Sequence, residues 1–570
     1  MSGEPDPRLK VVLCWHMHQP QYRDLLSRKQ LRPWAYLHGI KDYVDMAVHL
    51  ESVPEACAVV NFSPVLLEQL DEYSSQLAAH LRNGTPLGDP VLALLTPQGV
   101  PGDRAAWPDL IRSCLRGHKE NLIGRFEPYR DLARLAGGLL ESGSLGNASP
   151  QLLTDLAAWF HLAWFGETVH RGDPRVQALV RRSGHFSAED LRTLLECVAD
   201  VLAGLVPRYR RLAGNGKVEL SVSPWGHPIL PLLFEFSDAR EADPEIELPA
   251  TPRYPGGADR ARWHLARAVQ AFSRSFGVRP QGCWPPEGAA SAASMNLLQS
   301  FGFDWVASGE SVLRRSLQLA QAAEAPARDE LSSGYRLAAG RAVCFFCDDE
   351  LSDLIGFSYS KWHGDDAAAD FVGRLDRIAA GQEDNSQRVV SVVVDGANAW
   401  EYYPFNGFYF LRALYQRLAA HPRLQLTTFS GCLRDGVAVR PLQRLVAGSW
   451  IQGSLSSWVG SPSRNRAWDM LCDAKSVFDQ VVVEGGLDEA AQLAAEEQLG
   501  VCEGSDWFWW SPDQRMDDGE GRFDPLFRRH LMNLYTLLGE APPPLLAELS
   551  EPKPLAAQAA HADFPGAGAT

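Results

Sequence analysis

Eight short runs of apolar, β-prone residues, each stopping abruptly at polar or turn residues, constrain the fold of this 570-residue chain more than any other feature. The first four are VVLCW (Val11 to Trp15) before HMHQP, CAVV (Cys57 to Val60) before NFSP, VELSV (Val218 to Val222) before SPWGHP, and GCW (Gly282 to Trp284) before PPEG. The others are DWVA (Asp304 to Ala307) before SGE, AVCFF (Ala342 to Phe346) before CDDE, VVSVVV (Val389 to Val394) before DGANAW, and LQLTTF (Leu424 to Phe429) before SG. Apolar runs without alternation mark strands buried on both faces, as in a parallel sheet covered by helices. Helical patterns lie between many of them, such as Asp365 to Gly381 with its Asp start and Gly stop. Strand, polar loop and helix in repetition predict an α/β fold of the (β/α) TIM-like barrel type, whose chemistry belongs to residues just after the strands.

The spacing also predicts the domains. The barrel is expected over residues 1–435, interrupted by a helical insertion at about 64–215, where β-type runs are missing. Residues 436–550 read as a C-terminal helical domain, and the Ala/Pro/Gly-rich stretch 551–570 as a disordered tail. The formal charge of −16, with no basic run to offset it, argues against a nucleic-acid partner and sets no barrier to a neutral ligand. MSGEPDPRLK does not resemble a signal peptide and no run is long enough to span a bilayer, so a soluble cytoplasmic protein without a membrane partner is expected. Ten scattered Cys predict reduced thiols. Cys344 and Cys347 form a C-x-x-C, but on a strand they face opposite sides and make a poor metal pair.

Three strand ends carry candidate chemistry. His16 and His18 of HMHQP point the same way along an extended chain, which suits sugar hydrogen bonding, a two-His metal site or a structural role. In WPPEG, two prolines fix the backbone around Glu287 and Trp284 stands beside it. Asp395 ends VVVD, and Trp400, Tyr402 and Tyr403 follow it. A carboxyl from each of two strand ends is the minimum apparatus for glycosidic cleavage: one protonates the leaving oxygen, while the other attacks the anomeric carbon or activates water. Further polar ends are Pro224 to His227, Cys347 to Asp353, and, in the helical part, Trp458 and Glu503 to Trp510, the last equally readable as core between domains. P-loop, G-x-G-x-x-G, H-E-x-x-H and G-x-S-x-G motifs are all missing.

HMHQP, HPILPLL (His227 to Leu233), GCWPPEG, VVVDGANAWEYYPFNG (Val392 to Gly407) and SWIQGSLSSWVGSPSRNRAWDML (Ser449 to Leu471) resemble, in order, the five motif regions of glycoside hydrolase family 57. EGSDWFWW and the helical C-terminus are similar to the same family. The resemblance implies an incomplete (β/α)7 barrel with a helical domain closing the cleft, acting on an α-glucan or maltooligosaccharide by a retaining mechanism, with no cofactor and no metal. It further implies Glu287 as nucleophile and Asp395 as general acid/base, with His16, His18, Gln19, His227, Trp284, Asp348, Trp400, Trp458 and Asp506 as substrate-binding residues. In that scheme Glu287 stays ionised and its charge raises the pKa of Asp395, with the carboxyls about 5 to 5.5 Å apart. The chain departs from the family pattern at Ala397, where relatives carry Glu, and at Cys347, where they carry Arg. An α-amylase-like hydrolase is the leading expectation, cleaving α-1,4 bonds, with α-1,6 cleavage left open. The alternatives are 4-α-glucanotransferase or branching activity, a non-catalytic glucan-binding protein, and a metal-dependent hydrolase using His16 and His18.

Overall fold

Seven of the eight expected strands close into a ring. The computed structural model describes residues 6–321, 328–338, 340–382, 384–509 and 525–547; the expected tail at 551–570 and Trp510 lie outside them. The strands are β1 Leu9–Met17, β2 Ala58–Phe62, β3 Val218–Val222, β4 Gly282–Cys283, β5 Trp305–Gly309, β6 Gly334–Leu337, β7 Val343–Cys347, β8 Val389–Asp395, β9 Leu424–Thr427 and β10 Val439–Leu442. Parallel pairing runs β1-β2-β3-β4-β5-β7-β8 and back to β1, giving a seven-stranded TIM-like barrel. The longest seam, between β1 and β8, matches Lys10–His16 with Val389–Asp395. The narrowest seams each hold at one pair, Val222 with Cys283 between β3 and β4 and Cys347 with Ser391 between β7 and β8. The eighth expected strand, β9, pairs with Leu9–Val12 of β1 instead of entering the ring.

Alternation along each strand sorts side chains into two cores. Val12 and Cys14 join Val343, Phe345, Cys347, Val389 and Val393 inside the barrel, where Phe429 and Cys432 also pack. Val11, Leu13 and Trp15 face the surrounding helices. Cys344 belongs to the outer core and Cys347 to the inner one, so the C-x-x-C thiols do face apart. Both faces of the strands are therefore dry, which is why the runs read as continuously apolar.

Helices from Pro64–Asn83 to Ala188–Gly214 fill the chain between β2 and β3. The last of these starts in a capping box, Ser187 with Asp190. The helix expected from Asp365 to Gly381 is Gly364–Ala380, stopped at Gly381. Beyond residue 435 the chain is mostly helical, with Pro462–Val483, Glu489–Cys502 and Pro525–Leu537. Strand β10 falls in that stretch too, and pairs with β6, a four-residue strand with only its first half buried. Strands that short lack the apolar run that betrays the others. Among the described residues no helix is long and apolar enough to cross a membrane.

Candidate active site

Parallel register puts three polar side chains on one level at the C-terminal mouth of the barrel. His16 stands opposite Asn61 of β2 and Asp395 of β8, so all three point inward above the apolar plug. His16 Nδ1 lies 2.8 Å from Asn61 Oδ1, and His16 Nε2 lies 3.0 Å from His227 Nε2. His227 Nδ1 meets Ser505 Oγ at 2.9 Å. These contacts assign the protons: His16 donates from Nδ1 to the Asn61 carbonyl, its Nε2 accepts from His227 Nε2–H, and His227 Nδ1 accepts the Ser505 hydroxyl. Both imidazoles are neutral, because burial lowers His16 to about 3 and takes His227 well below the ordinary range. His18 stacks on His227 with ring centroids 3.6 Å apart and is held by Ser63 Oγ at 2.8 Å and by Asp506 at 3.1 and 3.2 Å. Consecutive residues of the helical part, Ser505 and Asp506, thus grip the two stacked rings.

Glu287 follows β4 in the left-handed region, at φ 58°, ψ 24°. A non-glycine residue there is strained, and His227 at φ 61° shares the condition. Trp450 from the segment before the C-terminal helices donates its indole N–H to Glu287 Oε2 at 3.0 Å. Burial raises the Glu287 carboxyl to about 7; the charge of Asp506 adds to this and that of Asp395 contributes, while the Trp450 N–H and His18 oppose it. The expectation of a fully ionised Glu287 is therefore altered, first by burial and second by the charge of Asp506, a tertiary neighbour that local sequence does not contain.

Asp395, half-buried, ends β8 and accepts the Ala397 N–H at 2.9 Å. Tyr43, the last residue of the π-helical turn Gly39–Tyr43, is buried, and its phenol pKa is raised by burial and then by the charges of Asp395 and Asp42. Gln19 is buried beside it and accepts the Tyr22 hydroxyl at 2.8 Å. The fold therefore gathers His16, His18, Gln19, His227, Glu287, Asp395 and Asp506. Trp450, Ser505, Asn61 and Tyr43 are additional neighbours. Trp450 and Ser505 sit within quoted motifs, whereas Asn61 and Tyr43 carry no local signal beyond a polar residue on a buried strand and a Tyr in an apolar helix.

Four expected sugar contacts are placed differently. Asp348 points away from the inward-facing Cys347 and caps helix Asp349–Asp353, accepting Leu351 N–H at 2.9 Å, because alternation turns the next residue outward. Trp400 is buried against Trp15 and Tyr403 and donates its indole N–H to Gly396 O at 3.1 Å, so it props the loop after Asp395 from behind. Trp458 is buried in the helical part beside Trp509. Trp284 is buried beneath the site, 5.3 Å from the Trp450 ring and 6.4 Å from His16. The two family departures, Cys347 and Ala397, are both buried.

His18, His227 and Asp506 bring one potential ligand atom each within 4.8 Å of one another. The stacked rings do not suit a cation: one lying in the plane of either imidazole stands roughly a ring-stacking distance out of the plane of the other, and imidazole lone pairs lie in the ring plane. The ring nitrogens of His16 and His227 also satisfy one another. The donor set fits hydrogen bonding better than metal ligation.

A closed parallel barrel with a buried Glu and an inward Asp on separate strand ends, beside the neutral imidazoles of His16 and His227, fits a glycoside-cleaving class of enzyme. The chain belongs to glycosyl hydrolase family 57, whose family model matches residues 12–444. In fold it is similar to a family 57 branching enzyme from Thermococcus kodakaraensis solved with glucose, at 16% identity and a TM-score of 0.56 over 95% of this chain and 94% of that one. A family 57-type branching enzyme from Pyrococcus horikoshii matches at 15% identity and TM-score 0.53 over 96% and 98%. An alpha-amylase from Thermotoga maritima matches at 12% identity and TM-score 0.54 over 95% and 96%. No curated protein sequence matches the chain.

Proposed function

We propose that this enzyme cleaves or transfers α-glucan chains with retention, Glu287 acting as nucleophile and Asp395 as general acid/base. The observation that carries the reading is the Glu287 carboxyl: buried, held in a strained backbone conformation, bonded by Trp450, and electrostatically linked to Asp395 and Asp506. The α-glucan assignment draws on the family and on the printed activities of its structural neighbours, a branching enzyme and an amylase.

Asp395 gives its proton to the glycosidic oxygen as Glu287 attacks the anomeric carbon, so the C–O bond to the leaving sugar breaks while an ester to Glu287 forms. Asp395, now a carboxylate, removes a proton from water or from a sugar hydroxyl, whose oxygen displaces Glu287. Because the carboxyls are coupled, the reactive microstate has the proton on Asp395 and the charge on Glu287. The Trp450 N–H and His18 favour that microstate by stabilising charge on Glu287. His16 and His227, both neutral, add no positive charge to the site.

The test is wild type against Glu287→Gln on maltoheptaose, followed by mass spectrometry of wild type trapped with an α-configured fluorosugar. Turnover by wild type, its loss in the variant, and a glycosyl adduct on the Glu287 peptide are expected. Absence of both turnover and adduct overturns the proposal. Products longer than maltoheptaose identify transfer and new branch points identify branching, while exclusively shorter ones identify hydrolysis.

A further inference from the structure

We infer that the loops following β7 and β8 carry an outer docking platform for a long α-glucan chain, centred on Trp362 and flanked by Phe357 and Phe405. This rests on the α-glucan reading above and extends it from the reacting bond to the remainder of the polymer.

Among the described residues, Phe357, Trp362 and Phe405 are the exposed members of the Phe, Trp and Tyr set, at 44%, 47% and 40%. They are not scattered. Phe357 and Trp362 lie in the segment between β7 and helix Gly364–Ala380, and Phe405 lies between β8 and helix Phe408–Ala419. In a parallel barrel both segments emerge at the C-terminal mouth, and β7 and β8 are neighbours in the ring. The two helices start side by side, since a Cβ on Gly364 would stand 2.7 Å from the Phe410 nitrogen.

Trp362 is also joined to the acid/base loop through buried rings. Trp362 packs edge-on against Tyr359 at 5.4 Å, Tyr359 meets Phe410 at 6.0 Å, and Phe410 meets Tyr403 at 5.4 Å. Tyr403 in turn meets Trp400 at 5.4 Å, and Trp400 is bonded to Gly396, the residue after Asp395. An aromatic wall thus runs from the loop of the acid/base to an exposed Trp. Its buried end is packing. Its exposed end offers apolar ring faces to water, and a pyranose, with an apolar C–H face and a polar rim, is the ligand that covers such a face while keeping its hydroxyls solvated. Phe405, in the left-handed region at φ 54°, has the Arg125 guanidinium 4.9 Å from its ring, which adds a hydrogen-bond donor beside an exposed aromatic.

The experiment compares wild type, Trp362→Ala, Phe357→Ala and Trp362→Phe, each as full chain, on amylose and on maltotriose, and by native electrophoresis through glycogen. The platform requires KM for amylose to rise about fivefold relative to KM for maltotriose in the alanine variants, with reduced retardation in glycogen. Trp362→Phe, which keeps a ring, recovers most of the loss. Wild-type KM ratios and wild-type retardation in both alanine variants overturn the inference while leaving the α-glucan reading intact. A wild type that neither turns over nor binds any α-glucan overturns that reading, and the platform with it. If sedimentation shows the wild type self-associated and Trp362→Ala monomeric, the patch is a contact between copies and the inference fails.

Discussion

The indole N–H of Trp450 donates to Glu287 Oε2 at 3.0 Å, and the Trp450 backbone N–H donates to the Glu287 carbonyl at 3.1 Å. Side chain and main chain of the proposed nucleophile are thus both fixed by one residue more than 160 positions away. The indole bond stabilises the ionised carboxylate, opposing burial and the neighbouring acids. In Trp450→Phe, Glu287 therefore titrates above its present value of about 7, and the acid limb of kcat/KM moves to higher pH. A lost bond to a charged group is worth about tenfold or more in activity below neutral pH. A pH–rate profile with an unmoved acid limb would contradict this role.

Asp506 acts on the same group in the opposite sense. Its charge is, after burial, the largest influence raising Glu287. Since the proposed nucleophile works ionised, activity should be lost as pH falls through its pKa. Asp506→Asn removes the like charge, so the acid limb should move to lower pH, whereas Trp450→Phe moves it higher. Loss of the His18 partner weakens binding at the same time, so KM rises while the limb shifts. The two variants together test sign as well as size.

As the proposed general acid, Asp395 should be needed most when the leaving group is poor. Asp395→Asn should lower kcat on maltooligosaccharides by roughly a hundredfold or more, the usual range for a lost general acid. With an aryl glucoside whose phenol leaves without protonation, the first step should lose far less, and ester hydrolysis then limits turnover, giving a burst of phenol. Equal loss on both substrates and no burst would place the acid elsewhere.

Legibility followed the range of the interactions. The barrel was readable because a strand dry on both faces leaves a continuous apolar run, as in VVSVVV. The strands β6 and β10 were not, being short and only partly buried. Glu287 and Asp395 were readable as carboxyls ending such runs. Asp348 was misplaced because a one-residue step reverses the face of a strand. The burial of Trp400 and Trp458 is not legible for a different reason: a Trp beside a candidate carboxyl reads the same whether its ring faces the cleft or braces the loop from behind. Asp506 was named, but its effect on Glu287 depends on a tertiary approach that no spacing encodes.

Gly288, next to Glu287, adopts φ +59°, and a Cβ there would stand 2.8 Å from the Trp284 ring. Glycine is required twice over, by conformation and by contact. Gly288→Ala should cost about 1 to 3 kcal/mol of stability and lower kcat, because the strained turn that aims Glu287 must relax. A Tm and kcat equal to wild type would show that neither constraint is real.

Glu503 anchors the segment that delivers Ser505 and Asp506. It is buried, accepts from Arg260 Nε at 2.8 Å, from His264 Nε2 at 2.8 Å and from the Tyr254 hydroxyl at 2.6 Å, while His264 Nδ1 accepts the Gly226 N–H at 3.1 Å. Burial alone would raise this carboxyl, but Arg260 and His264 prevail and hold it at about 2. A carboxyl depressed on folding contributes stability that is complete above its unfolded value near 4.5 and is lost as pH falls towards about 2. His264, held below 6.5 by burial, makes the folded state less favourable as pH drops below that value, so both groups weaken the protein on the acid side. Glu503→Gln leaves Arg260 buried without its counter-charge, at a cost of about 3 to 5 kcal/mol near neutral pH. Denaturant unfolding should show that deficit at pH 7 and a narrowing gap to wild type below pH 4.5. A gap that stays constant with pH would mean the carboxylate charge is not what holds the segment. Because Ser505 and Asp506 follow directly, the variant should also show a raised KM even where it is fully folded, tying the stability of the latch to the placement of the stacked histidines.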